Sequence, residues 1–428
     1  MKRVYSAIVA LLLTAGCLAG TAQAMSNDKL SRAMQALDAG DTEVVQQMPE
    51  RDRTILKATV ALKSGQPEEA LKLLGNNADS DPLAALLGAE AHRQEALHAV
   101  KAAGSYAHAV EAQGKLLASA DLSSGLGEAD ARLHAFMDKL DAVYGEPLDL
   151  LQLSQDVRNI FMVDKARNRL FVFERQSDGS LRKIEDEYVV TGASSGDKTS
   201  EGDGKTPNGI YRFVQRLEGK GLEAKYGPVA FPIDYPNELD RLHHKDGHGI
   251  WMHGYPIDVN RRPPRDTKGC FALPNDRLLA VADHVTLGKS WVIVGRNFVF
   301  NKSEQRQALL KSVENALDSW RRDWTSLDTN AYLSHYHDEF RSGKYNLARW
   351  KRYKKRVNAG KSFIDVGFSD LTLIHDPSSW PEGEVVVAEF NQDYRSNNYA
   401  DKSRKRVYLA RKDKHSDWKI LIEETVTP

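Results

Sequence analysis

Gly249-Ile250-Trp251-Met252-His253-Gly254 and, one loop later, Asp266-Thr267-Lys268-Gly269-Cys270-Phe271 are the two stretches on which the chain turns. The first reads as a short apolar strand ending in His-Gly. The second reads as a turn ending in Gly-Cys. Sixteen residues separate His253 from Cys270, enough for a loop to bring the two side chains together. A thiolate nucleophile needs such a neighbour, because an imidazole lowers the thiol pKa and carries the proton. Gly269 lets backbone approach closely, and backbone N–H groups around Cys270 are candidates for holding an oxyanion.

The cysteine count sharpens this pairing. The chain has two cysteines, Cys17 and Cys270. Residues 1–24 read as a secretory signal. Lys2 and Arg3 form a charged start, Ile8 to Leu13 a short apolar run, and Ala22-Gln23-Ala24 a small-x-small cleavage site. The expected mature chain begins at Met25 in the periplasm, with lipidation at Cys17 as the alternative. Cys270 is then a single thiol in an oxidising compartment, where it forms no internal disulfide. From the count alone a buried inert thiol and a reactive one both stand open.

Working outward, residues 25–156 read as a helical domain. Apolar residues recur at three- and four-residue spacing through Leu56, Ala58, Ala61, Leu62 and again through Ala70, Leu71, Leu73, Leu74. Ser64-Gly65-Gln66-Pro67 separates two helices, and the unit is repeat-like without a second clean period. A homodimer through these helices is one expectation, although no heptad supports it. Residues 157–298 read as a mostly β catalytic domain. It opens on a hairpin of Asn159–Val163 and Leu170–Phe173 and closes on Trp291-Val292-Ile293-Val294. Residues 303–428 read as an α+β domain. A helix over 305–325 carries Leu309, Val313, Leu317, Trp320 and Trp324, more helix follows to about 358, and strands come last. The 428 residues thus fit a multidomain protein. Lys+Arg and Asp+Glu balance at 59 each, which leaves no bulk field to recruit nucleic acid.

With those motifs in place, the chain resembles the YkuD-type L,D-transpeptidase family over about residues 157–297. The family signature of His-Gly, a loop and Ser/Thr-x-Gly-Cys stands here as His253-Gly254 and Thr267-Lys268-Gly269-Cys270. Gly202-Asp203-Gly204-Lys205-Thr206-Pro207-Asn208-Gly209-Ile210-Tyr211 matches an upstream family stretch, and Tyr226-Gly227 and Tyr235-Pro236-Asn237 fit as well. The resemblance implies Cys270 as nucleophile and His253 as base. It implies Thr267, Gly269 and Gly254 as orienting or oxyanion residues, and Lys205, Tyr226, Trp251 and Tyr255 as substrate contacts. No cofactor and no metal is implied. The implied substrate is a peptidoglycan stem peptide, cut between diaminopimelate and D-alanine through an acyl-enzyme. Water as acceptor gives a carboxypeptidase; an amine gives a transpeptidase that cross-links or attaches wall-bound protein.

Typical members follow the cysteine with an aliphatic residue and then Arg, whereas Phe271-Ala272 stands here. That variant resembles the branch holding L,D-carboxypeptidases of helical bacteria and hydrolases that release wall-bound lipoprotein, so trimming, with an effect on cell shape, is the expectation. The C-terminal unit resembles the nuclear-transport-factor-like superfamily through its Trp-bearing helix, Phe390–Tyr394 and Trp418-Lys419-Ile420. A non-catalytic wall-binding scaffold and a metal peptidase built on His243, His244, His248 and His253 are the competing readings. The loop-like Asp246-Gly247-His248-Gly249 lacks the helical spacing of a zinc peptidase. Gly204-Lys205-Thr206 fails as a phosphate loop because Thr199 stands where its first Gly belongs. The basic run from Lys344 to Arg356 reads as a solvated helix face, or as a contact with anionic wall polymer.

Overall fold

The computed structural model describes residues 50–75, 82–103, 145–259 and 262–426. The expected signal segment and residues 104–144 of the expected helical domain lie outside the described residues. The chain forms two compact units, one of Met1–Val143 with Tyr255–Asp266, the other of Tyr144–Gly254 with Thr267–Pro428. None of the helices among the described residues is long and apolar enough to cross a membrane.

In the first unit α1 (Glu50–Lys63), α2 (Pro67–Leu74) and α3 (Pro82–Ala103) follow the predicted break at Gly65-Gln66. Pro67 starts α2, where its missing N–H costs nothing. Ala58, Leu62, Ala70, Leu74 and Ala84 supply a small core.

The second unit opens with a departure from expectation. Residues 150–152, expected to end the helical domain, form strand β1 (Leu150–Gln152), antiparallel to β15 (Ile364–His375) of the C-terminal sheet. Period-two burial explains it: Leu150 and Leu151 are both buried but belong to different clusters, as alternating sides of a strand require.

β2 (Asn159–Asp164) and β3 (Arg169–Arg175) make the predicted hairpin, pairing from Asn159↔Glu174 to Asp164↔Arg169. With β4 (Leu181–Tyr188), β6 (Gly209–Arg212) and β12 (Trp291–Gly295) they form a sheet ordered β4-β3-β2-β12-β6. β5 (Thr191–Gly192) precedes a long loop to β6. A second sheet is ordered β11-β9-β8-β7, from β7 (Leu217–Glu218), β8 (Val229–Pro232), β9 (Trp251–His253) and β11 (Phe271–Ala272). Helix α4 (Glu238–Leu242), strand β10 (Arg265–Thr267) and helix α5 (Asn275–Ala282) fill the connections.

The continuous apolar run of β2 is accounted for by burial on both faces. Phe161 and Val163 pack with Phe231, Met252 and Phe271 between the two sheets. Ile160 and Met162 face the other way, into a cluster shared with Val385, Val387, Tyr408 and Leu421 of the C-terminal sheet. That sheet has seven strands, ordered β1-β15-β16-β17-β18-β13-β14. It is built from β13 (Tyr336–Ser342), β14 (Tyr345–Asn346), β15, β16 (Glu384–Ser396), β17 (Tyr399–Arg411) and β18 (Lys419–Val426). β15 is a single long strand broken by a bulge, with Asp370 at φ 52. α6 (Ser303–Thr325), α7 (Thr329–Ser334) and α8 (Leu347–Asn358) cover the far side through Val313, Trp320, Trp324 and Trp350.

α8 carries most of the basic run. Lys351, Arg352, Lys355 and Arg356 are exposed as expected. Lys354 departs from that reading: its ammonium stands 4.5 Å from the Trp350 ring and 4.8 Å from that of Trp324. Burial pulls its pKa down to about 8. It lines a cavity of about 1050 Å³ with Trp324, Tyr394, Lys405 and Glu423.

Candidate active site

Strands β9 and β11 lie side by side and run parallel, with Phe271 opposite Met252 and Ala272 opposite His253. His253 therefore ends one strand and Cys270 immediately precedes its neighbour, on strands about 4.8 Å apart. Paired residues of parallel strands project to the same side, and side chains alternate along each strand. Cys270, Ala272, Trp251 and His253 therefore share one side.

The imidazole is held in one tautomer. His253 is buried, and its Nδ1 stands 2.6 Å from the carbonyl oxygen of Gly254. A carbonyl only accepts, so Nδ1 carries the proton and Nε2 is the basic nitrogen. The Tyr226 ring meets His253 edge-on at 5.1 Å and leans on Trp251 at 4.7 Å. Glycine permits this approach. Gly227 sits at φ 72, where a Cβ would come within 2.8 Å of the Gly254 Cα, and the Gly254 N–H donates to the Tyr226 carbonyl at 2.8 Å.

The thiol turn is fixed by two hydroxyls. Thr267 Oγ1 donates to the Cys270 carbonyl at 2.7 Å and accepts from the Gly269 N–H at 3.1 Å. Thr206 Oγ1 donates to the same carbonyl at 3.2 Å and accepts from the Gly192 N–H at 2.8 Å. Gly269 adopts φ +127, and a Cβ there would lie 2.8 Å from the Lys205 carbonyl oxygen. The thiol is half-buried and donates to the Gly249 carbonyl at 3.4 Å. The thiolate is the nucleophilic form of a cysteine, so activation calls for a base.

Of the residues singled out by sequence, Cys270, His253, Thr267, Gly269, Gly254, Tyr226 and Trp251 come together. The Gly269 amide donates to Thr267 Oγ1 and the Gly254 amide to the Tyr226 carbonyl, which fits an orienting role. Tyr255 is 1% exposed. Lys205 reaches the turn through its carbonyl, while its side chain runs towards Gly196. The four histidines do not converge. His243 stacks on Trp380, and exposed His248 stands 3.8 Å from Glu201.

Sequence reading missed the framework of the loop from 193 to 208. Lys165 Nζ donates to the carbonyls of Gly196 at 2.7 Å and Thr206 at 2.5 Å. Burial, partly offset by Asp197, pulls the Lys165 ammonium down to about 8. Asp203 accepts from the backbone N–H groups of Thr199, Ser200 and Lys205 and from Lys198 Nζ. Thr206 stood inside the quoted Gly202–Tyr211 stretch, and its place before Pro207 was the available signal.

The comparisons with known proteins agree with this geometry. The L,D-transpeptidase catalytic domain model, YkuD, matches residues 158–294. The Cds6 C-terminal NTF2-like domain model matches residues 312–424. The helical cell shape determining protein Pgp2 from Campylobacter jejuni is 32% identical, with a TM-score of 0.55 over 65% of this chain and 96% of that one. The chain belongs to the YkuD L,D-transpeptidase family. A point variant of Pgp2 gives 30% identity and a TM-score of 0.55 over 68% of this chain and 98% of the other. Bd1075 of Bdellovibrio bacteriovorus is 27% identical, with a TM-score of 0.57 over 66% of this chain and 98% of that one. No curated protein sequence matches the chain. As a cysteine enzyme of the L,D-transpeptidase family it modifies the cell wall, and the scaffold and metal-peptidase readings fall away.

Proposed function

We propose that the protein is a periplasmic L,D-carboxypeptidase that trims peptidoglycan stem tetrapeptides to tripeptides and so influences cell shape. The observation that carries this reading is the thiol turn beside an Nδ1-protonated imidazole, followed by a buried Phe271-Ala272. His253 Nε2 takes the thiol proton as Cys270 Sγ attacks the amide carbonyl between the L-centre of diaminopimelate and D-alanine. The C–N bond breaks, His253 returns the proton to the D-alanine amine, and a thioester remains. Water then attacks the thioester, giving its proton to Nε2, and the released carboxylate leaves a regenerated thiol. Ala272, where typical members carry Arg, is 0% exposed and bridges Val190, so no cation projects from that position towards an acceptor peptide. That absence supports water, in place of an amine, as the acceptor.

Periplasmic residence is supported by the charged, apolar and small-residue pattern of residues 1–24. The test is incubation of the full chain with purified muropeptides. D-alanine and tripeptide should appear, and Cys270→Ala should abolish both, as thiol alkylation should and chelation should not. Cross-linked dimers in place of tripeptide would make the protein a transpeptidase.

A further inference from the structure

The loop that holds Thr206 against the thiol turn is itself held from the C-terminal domain. Asp197, near the loop's start, accepts the Asn208 N–H at 2.7 Å through Oδ1, which ties the two ends together. Its Oδ2 accepts Lys245 Nζ at 2.7 Å, and the same ammonium stands 3.1 Å from buried Asp240. Lys245 is 8% exposed, and what covers it is Trp380, whose ring centroid lies 4.2 Å from Nζ. Trp380 also stacks on His243 at 4.9 Å, and Glu382 beside it stands 3.2 Å from His243 Nε2.

We propose that Trp380 of the C-terminal domain is a positioning residue for the wall-cutting reaction: it caps Lys245, which fixes Asp197 and through it the Thr206 loop that sets the Cys270 turn. The inference rests on the reading of Cys270 as nucleophile. An indole over an ammonium excludes water and keeps the charge aimed at its carboxylates. Removing the indole lets Lys245 turn to solvent, frees the Asp197–Asn208 tie and allows Thr206 to drift from the Cys270 carbonyl. Misplacement of this kind slows chemistry more than binding, because it alters the geometry of attack.

The test is steady-state D-alanine release by the full chain carrying Trp380→Leu, Trp380→Phe or Asp197→Asn, with folding checked by circular dichroism. Trp380→Leu and Asp197→Asn should lower kcat by about tenfold while KM stays within about twofold, and Trp380→Phe, which keeps a ring, should restore most of the rate. A folded Trp380→Leu with unchanged kcat, or with a raised KM alone, overturns the proposal. If Trp380→Leu does not fold, Asp197→Asn decides by the same criterion. Cys270→Ala separates the two levels. Its full loss of activity beside an unaltered Trp380→Leu overturns this proposal alone, whereas its retention of activity overturns the nucleophile assignment and this proposal with it.

Discussion

Two hydroxyls converge on one carbonyl, that of Cys270, and they were unequally legible in the sequence. Thr267 belongs to the Thr-x-Gly-Cys turn, where a short side chain three residues before a cysteine reads directly as a local bond. Thr206 lies 64 positions away, and such a contact is created by the tertiary fold. Its hydroxyl both gives and receives a bond in a residue 1% exposed, so removal strands a buried N–H and a carbonyl lone pair. Thr206→Val should therefore lower stability by about 1–3 kcal/mol in urea denaturation and slow D-alanine release, while Thr206→Ser retains most of both. The tautomer of His253 was equally hidden, because it depends on where the Gly254 carbonyl points.

Strands and helices with strong periodicity were legible as elements, including the β2–β3 hairpin, β9, β12 and α6. Strand β1 was not, because three residues carry too little pattern to outweigh a helical neighbourhood. The loop between β5 and β6 was legible as the family-like stretch from Gly202, but its internal bonds were not. Its order comes from charge, and Asp203 is its centre. Burial alone would raise the Asp203 carboxyl, but the N–H groups of Thr199 and Lys205 and the Lys198 ammonium outweigh burial and hold it at about 2. A folded pKa below the ordinary 3.8 means that Asp203 contributes its full stabilisation above 3.8 and loses it as pH falls towards about 2. An NMR titration should place the Asp203 midpoint near 2. Urea stability should fall over that acid window more steeply in the wild type than in Asp203→Asn. Equal slopes would count against the carboxylate as the loop's organiser.

Across the whole molecule, the sequence reads as separate catalytic and C-terminal domains, but the two share a core. Ile160, Met162 and Trp291 on one side meet Val385, Tyr408 and Leu421 on the other. The runs in β2 and β12 were readable as buried strands, but a linear pattern does not say which layer covers the second face. At the edge of that apolar contact, Glu389 of β16, 2% exposed, accepts from Arg212 of β6 at 2.8 Å and from Arg404 and Arg406 of β17 at 2.8 and 2.9 Å. Arg212 in turn stacks on Trp291 at 3.5 Å. Deleting the carboxylate leaves guanidinium groups buried without their counter-charge. Glu389→Ala should cost about 3–5 kcal/mol in denaturant unfolding, and the catalytic and C-terminal domains should still melt in one transition because their apolar contact persists.

The short strand β1 also constrains the order in which the protein is completed. Leu150 is made before any of the catalytic domain, yet its partner Ile374 lies beyond all of it. Every ribosome that makes this chain therefore releases the first edge of the last sheet long before the rest of that sheet exists. The early segment must wait, unpaired, while the thiol-bearing domain is synthesised. A chain stopped after residue 298 would carry the catalytic pair but leave β1 with nothing to pair against and one face of β2 uncovered. The C-terminal sheet thus acts as the closing clasp of the enzyme, and a nascent or truncated product is poorly placed to act before it is made.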